Sequence, residues 1–243
     1  MNTRIVRRDA GGLCTLTLNR PEKLNAMDTE AFQELEAHLA ALEDATEIGC
    51  VVLRGAGRGF CGGADLNTLG KAPGPWDYKP GVVARLGRLP QPLVAAVHGV
   101  CFTGGLELAL ACDFILADET AAFADTHGKF GLVGAWGMGQ RLKRRVGEPA
   151  AKLMMMTGAK VNAAEAKALG LVDLLAPAGQ LDAWLTAFTG EILANSWHTN
   201  FAAKRMMQET DGMSLEAGLA YENEHYAGTA PDYEERMARF AKK

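Results

Sequence analysis

The sequence predicts an α/β core followed by a helical C-terminal appendage, and three observations carry that prediction. Between residues 50 and 125 short apolar runs alternate with glycine loops and a helical stretch, so the middle of the chain repeats strand, glycine loop, helix, strand. Beyond residue 140 the apolar spacing becomes helical almost to the end. The composition, 48% hydrophobic and 22% charged over 243 residues, is that of an ordinary globular protein with enough chain for one large domain and an appendage.

Taken in order, LCTLTLN (13–19) alternates like a strand and runs into the charged turn RPEK. Asp28 or Thr29 then caps a helix over 29–45, with Phe32, Leu35, Leu39 and Leu42 at helical spacing. CVVLRG (50–55) reads as a buried strand leading into the glycine-rich loop GAGRGFCGGADL. Residues 70–92 hold five prolines and show no period, which predicts an irregular segment with one helix near 81–88. PLVAAVHG (92–99) is the next buried strand, and DFILADE (113–119) and AAFAD (121–125) are two more. RLKRRVGEPAAKLMMMTG and NAAEAKALGLVD predict two helices joined by a TGAKV turn. Another helix is expected over 179–195, and residues 200–243 are helical with a break at Pro231. The expected division is therefore a core over 1–190 and a helical region over 191–243. There is no internal repeat.

Several function classes are disfavoured at this level. A formal net charge of −4 argues against a nucleic-acid partner. The five cysteines (14, 50, 61, 101 and 112) form no CxxC and no Cys/His cluster, so no metal site is expected and a reduced, cytoplasmic setting fits best. MNTRIVRRDAGG lacks the apolar core of a signal peptide, and no run of about 18 apolar residues is available to cross a membrane. The expectation is a soluble intracellular protein.

One short stretch raises a chemical question. Within VCFTGGLELALACD (100–113) the helical run is apolar except for one carboxylate, Glu107, which stands among Leu106, Leu108, Ala109, Leu110 and Ala111. A buried carboxylate is costly unless it is neutralised or used. Here, and again at GFCGGADL (59–66), a strand runs into glycines and then a helix. Such loops either make tight turns or leave amides free to point at one oxygen, as in an oxyanion hole; the residues alone leave both readings open. GAGRGF (55–60) resembles the start of a dinucleotide fingerprint. Phe60 occupies its last glycine position, however, and the following strand lacks the acid that would bind a ribose.

RPEKLNAM (20–27), GFCGGADL (59–66), PLVAAVHGVCFTGGLELALACDFILA (92–117), AFADTHGKFGL (122–132) and TGAKVNAAEAKALGLVD (157–173) together resemble the crotonase family, the enoyl-CoA hydratases and isomerases. The resemblance covers nearly the whole chain in order. It implies a ββα spiral with a helical C-terminal trimerisation region, assembled as a homotrimer or a dimer of trimers. It also implies an acyl-CoA thioester as the partner, with CoA entering as part of the substrate and no separate cofactor. Carried over by position, the amides of Ala64 and Gly104 would form the oxyanion hole, and Glu107 would be a catalytic acid. Lys23, Ala26, Gly63, Asp65, Leu66, Trp136 and Lys242 fall in segments that resemble substrate-contacting ones.

The chain departs from the family pattern at one position. Hydratases of this family carry a second glutamate twenty residues after the first, and here that residue is His127. Imidazole titrates near neutrality and can take over proton transfer; the alternative is a His127 that lines the pocket without titrating. Asp125, two residues earlier on an apparent strand, shares a face with it and is placed to orient it. The leading functional reading is hydration of a 2-enoyl-CoA. Isomerisation, decarboxylation or thioester hydrolysis on the same oxyanion hole, or acyl-CoA binding without turnover, are the alternatives. Elsewhere the bland readings lead: a structural hydrogen bond for His98, an inert exposed His38, packing for Met154–Met156, and a solvated or interface helix face for Lys143, Arg144 and Arg145. Trp136 has two readings, acyl-pocket lining and core packing.

Overall fold

The structure, a computed structural model, describes residues 3–68, 75 and 77–241. Strand β1 (Ile5–Ala10) pairs antiparallel with β2 (Leu13–Leu18). The sequence reading has no counterpart to β1, because only Ile5 of its six residues is buried and an edge strand with so little apolar surface has no clean alternation. Helix α1 (Thr29–Glu43) is capped by Asp28, whose carboxylate accepts the Ala31 amide at 2.9 Å, and it buries Phe32, Leu35, Leu39 and Leu42. His38 is half-buried rather than exposed: α1 lies across β1, and His38 Nε2 is 3.2 Å from the Ile5 carbonyl.

The next segments build the spiral. Strands β3 (Cys50–Gly55) and β4 (Gly59–Cys61) precede α2 (Tyr78–Gly87). Strands β5 (Leu93–Val97) and β6 (Val100–Phe102) precede α3 (Gly104–Ala111). Strands β7 (Phe114–Asp118) and β8 (Ala122–Ala124) precede α4 (Met138–Val146). In each unit the first strand joins one sheet and the second strand joins another. Turns therefore have to be abrupt. Between β5 and β6, Gly99 adopts φ +53°, and a β-carbon there would stand 2.2 Å from the Arg58 carbonyl oxygen. Next to it His98 places Nε2 2.8 Å from the Gly57 carbonyl, the structural bond expected for it.

Chain order continues with α5 (Glu148–Thr157), β9 (Val161–Asn162), α6 (Ala163–Ala168), β10 (Leu174–Ala176) and α7 (Leu181–Ala194). The helix expected over RLKRRVGEPAAKLMMMTG is two helices, because Gly147 takes φ +78° and Pro149 sits in the first turn of the next helix. The chain ends in α8 (Trp197–Glu209), α9 (Leu215–Glu224) and α10 (Tyr233–Phe240). The expected junction at 190/191 falls inside α7. The helix expected near 81–88 is α2, while residues 69–74 and 76 of the proline-rich segment lie outside the described residues.

The larger sheet has the order β1-β2-β3-β5-β7-β10 and is parallel from β2 onward. The smaller has the order β4-β6-β8-β9, with only β9 antiparallel. The central strands are near-continuous apolar runs because both faces are covered. Val51, Leu53, Ala95, Val97, Ile115 and Ala117 enter the main core with α1 and α3. Cys50, Val52, Val94, Ala96 and Leu116 pack under Leu181 and Leu185 of α7. Among the described residues no helix is long and apolar enough to cross a membrane.

Candidate active site

All eight residues of α3 are buried, including Glu107 at 1% exposure. The helix starts hard against the end of β4: a β-carbon at Gly105 would lie 2.2 Å from the Cys61 carbonyl oxygen, so only glycine allows this approach. The GGADL loop meets it from the other side. Gly63 takes φ +113°, and a β-carbon there would be 3.2 Å from the Gly104 nitrogen. The two glycine loops, about forty residues apart in sequence, therefore meet. Neither the Ala64 nor the Gly104 amide donates to an acceptor among the described residues. Ala64 and Gly104 both line a cavity of about 250 Å³, together with Leu66, Glu107, His127 and Trp136.

Glu107 spans that cavity in a defined way. Its Oε1 accepts the amides of Trp136 at 2.8 Å and of Met138, the first residue of α4, at 3.0 Å. Its Oε2 faces His127 Nε2 at 3.8 Å, in ion-pair range but beyond a direct hydrogen bond. Burial pushes the Glu107 carboxyl above its ordinary value, against the opposing pull of the Met138 amide and the His127 charge. The helix dipole that opposes the shift thus comes from α4 as well as from the start of α3.

His127 is held by Asp125, but by a turn and not by a shared strand face. Strand β8 ends at Ala124, and Asp125 Oδ1 accepts the His127 backbone amide at 3.1 Å while lying 2.6 Å from the ring Nδ1. The side chain of a strand residue cannot cap the amide two residues on; leaving the strand allows it to. Burial works to lower the His127 pKa, yet the hydrogen bond to Asp125 and the charges of Asp125 and Glu107 outweigh it, and the net direction is upward. Cys61 sits beneath the loop, but burial pushes its thiol up to about 12, which leaves no thiolate at neutral pH.

The remaining sequence-predicted contacts are spread more widely. Leu66 is half-exposed at the rim of the cavity. Trp136 does both things considered for it: it lines the cavity and packs edge-on against Phe32 at 4.9 Å. Gly63 and Ala26 act through their backbones, Gly63 accepting the Met27 amide at 2.8 Å and Ala26 accepting Arg20 Nη1 at 2.5 Å. Asp65 is committed inward, paired with Arg20 Nη2 at 3.0 Å and accepting the Asn67 amide. Burial opposes its ionisation, but Arg20 and Asn67 overcome this and hold its carboxyl below the ordinary range. Lys23 is exposed in the short turn Pro21–Lys23, away from the cavity lining. Lys242 lies outside the described residues.

Several participants escaped the sequence reading. Thr103 and Thr126 line the cavity with their hydroxyls 2.5 Å apart, and isolated threonines carry no sequence signal. Gly134 lies flat against the His127 ring, where a β-carbon would be 3.1 Å from Cε1. The glycine cluster in GLVGAWGMG was the available hint to that packing. Of the basic cluster, Lys143 and Arg144 are exposed and Arg145 pairs with Asp173.

Comparison with known proteins follows the same outline. Residues 8–243 match the family described as Enoyl-CoA hydratase/isomerase. The 2,3-dehydroadipyl-CoA hydratase of Escherichia coli (strain K12) is 33% identical over 94% of this chain and 91% of its own length. A crystal structure of an enoyl-CoA hydratase from Bacillus anthracis superposes with a TM-score of 0.91 at 29% identity, covering 98% of this chain and 96% of that one. One from Mycobacterium smegmatis does so with a TM-score of 0.91 at 29% identity over 99% and 97%. The ββα spiral, the meeting of the two glycine loops and the whole-chain match agree: this chain belongs to the enoyl-CoA hydratase/isomerase family.

Proposed function

We propose that the protein is an enoyl-CoA hydratase that adds water across the 2,3 double bond of a 2-enoyl-CoA, with Glu107 as acid/base and His127 assisting. The observation that carries this reading is the pairing of Glu107 Oε2 with His127 Nε2 at 3.8 Å in a cavity also lined by Ala64 and Gly104. A water molecule seated beside the pair, on the cavity side, would be held by both groups. Glu107 Oε2, free of the amides that anchor Oε1, takes a proton as the water oxygen bonds to C3. The electron pair moves through C2 onto the thioester oxygen, where the Ala64 and Gly104 amides stabilise it. Return of the proton to C2 gives the 3-hydroxyacyl-CoA. Leu66 and Trp136 would line the acyl path, and Lys23, Ala26, Gly63, Asp65 and Lys242 would contact or shape the binding groove.

A homotrimer, or a dimer of trimers, accompanies this reading. Exposed Leu215, Leu219, Met237 and Phe240 on the C-terminal helices support it. Light scattering should give three or six times the 25.9 kDa chain mass, and a monomer would refute the assembly. Five free, buried cysteines support a cytoplasmic setting.

The test is crotonyl-CoA hydration, followed by loss of enoyl absorbance and by mass spectrometry. Wild type should turn over, and Glu107→Gln should lose at least about a hundredfold. Binding without turnover would remove the hydratase reading. A second reading, thioester hydrolysis with His127 as base, is favoured by the Asp125–His127 contact at 2.6 Å, and the appearance of free CoA in the same assay would identify it.

A further inference from the structure

We propose that Asp125 is the positioning residue of this site: it fixes the His127 ring with Nδ1 protonated and keeps the proton shared by His127 and Glu107 on the imidazole. Asp125 is 2% exposed and stands behind the residues that line the cavity, so it is placed to act through His127. Its Oδ1 lies 2.6 Å from His127 Nδ1 and accepts the His127 backbone amide at 3.1 Å. An ionised carboxylate only accepts, so the facing ring nitrogen must carry hydrogen. Gly134 closes the Cε1 and Nδ1 edge of the ring, which leaves Nε2 as the atom turned to Glu107.

Proton counting then separates two states of equal total charge. With Nδ1 protonated, one further proton sits either on His127 Nε2 or on Glu107 Oε2. The first arrangement is an imidazolium between two carboxylates, and the second is a neutral imidazole beside a carboxylic acid. Asp125 and Glu107 are the charged groups that act on the ring, from β8 with its following turn and from α3; α5 also packs against the turn at 127–130, and its Glu148 and Lys152 pair with each other. A carboxylate in contact with the ring favours the imidazolium. Glu107 is then left as the carboxylate, the form that accepts a proton from water. Without the charge of Asp125, the proton moves to Glu107, which then no longer accepts one from water. The kinetic consequence rests on the hydratase reading; the protonation pattern does not.

The decisive measurement is a pH titration of the full-length protein labelled with ¹⁵N-histidine, with His127 identified by its absence in His127→Gln. In wild type the neutral ring should be the Nδ1–H tautomer, with a midpoint above the ordinary value of about 6.5. Asp125→Asn should lower that midpoint by about one pH unit or more and shift the ring toward the Nε2–H tautomer. It should also cut kcat for crotonyl-CoA about tenfold or more while KM stays within about twofold. A midpoint unmoved by Asp125→Asn, or an Nε2–H tautomer in wild type, overturns the proposal. The wild-type tautomer decides the matter even if the variant fails to fold. Wild type that does not hydrate crotonyl-CoA would sink the hydratase reading, and the titration would still decide the role of Asp125.

Discussion

The Trp136 ring lies directly over the α-carbon of Gly104, so closely that a β-carbon at Gly104 would stand 2.3 Å from Trp136 Cζ3. The backbone amide of the same Trp136 binds Glu107 Oε1 at 2.8 Å. One residue therefore presses with its ring on the amide proposed to hold the thioester oxygen and grips with its backbone the carboxylate proposed to move the proton. Arg141 steadies it by donating to the Trp136 carbonyl at 2.7 Å.

This contact makes Gly104→Ala a sensitive probe. The added methyl has to displace either the indole ring or the start of α3, and overpacking of this kind costs about 1–3 kcal/mol. Urea denaturation should show that loss, and crotonyl-CoA kcat/KM should fall about tenfold or more as the Gly104 amide shifts. A variant normal in both respects would mean that the ring yields freely and does not define the site.

Glu107→Gln should separate activity from stability. Burial raises the Glu107 carboxyl above its ordinary value of about 4.5, so the folded protein holds that proton more tightly than the unfolded chain does. Stability from this group is therefore complete below about pH 4.5 and declines as pH rises through the elevated folded value. Glutamine keeps an oxygen for the Trp136 and Met138 amides but carries no charge. The variant should be inactive and at least as stable as wild type at pH 7, with a flatter stability profile from pH 4 to 7. Greater stability of wild type at pH 7 would contradict a desolvated carboxylate.

Thr103 has φ +54° and ψ −115°, a conformation that side chains disfavour, and its hydroxyl is bonded to that of Thr126. Thr103→Ala keeps the strain and loses the bond, whereas Thr103→Gly loses the bond and relieves the strain. Glycine should thus exceed alanine here by about 1–3 kcal/mol in chemical denaturation, the reverse of its usual cost. Alanine equal to or better than glycine would show that the backbone is not strained.

Lys204 of α8 is buried, with Nζ 2.7 Å from Asp113 Oδ2 and donating to the Gln91 carbonyl at 2.8 Å. It is a polar pin between the C-terminal helices and the end of the larger sheet. Lys204→Ala leaves the half-buried Asp113 without its nearest cation and should cost about 1–3 kcal/mol of stability. A loss below about 1 kcal/mol would mean that water replaces the ammonium group.

Much of the frame was legible in the sequence. The buried parallel strands appeared as apolar runs, α1 announced its cap and its core face, and the glycine loops marked where backbone meets backbone. The resemblance supplied the spiral order that these local signals lacked. What escaped has specific reasons. Strand β1 buries one side chain and so shows no period, and the break at Gly147 was hidden because both flanking helices keep helical composition. Asp125 was singled out as a neighbour of His127, but its hold on the ring through a turn required knowing that β8 stops one residue before it.

By itself the sequence determined that this chain folds as an α/β core and that one carboxylate follows a glycine pair, because periodicity, turn residues and motif spacing are local properties. Tertiary structure alone decided what that carboxylate does. Its amide partners lie 29 and 31 residues away in sequence, and backbone N–H groups are the same for nearly every residue, so no pattern of side chains can announce them. The facing of Nε2 toward Glu107 was settled in the same way, by a turn, a glycine and a buried aspartate brought against one ring.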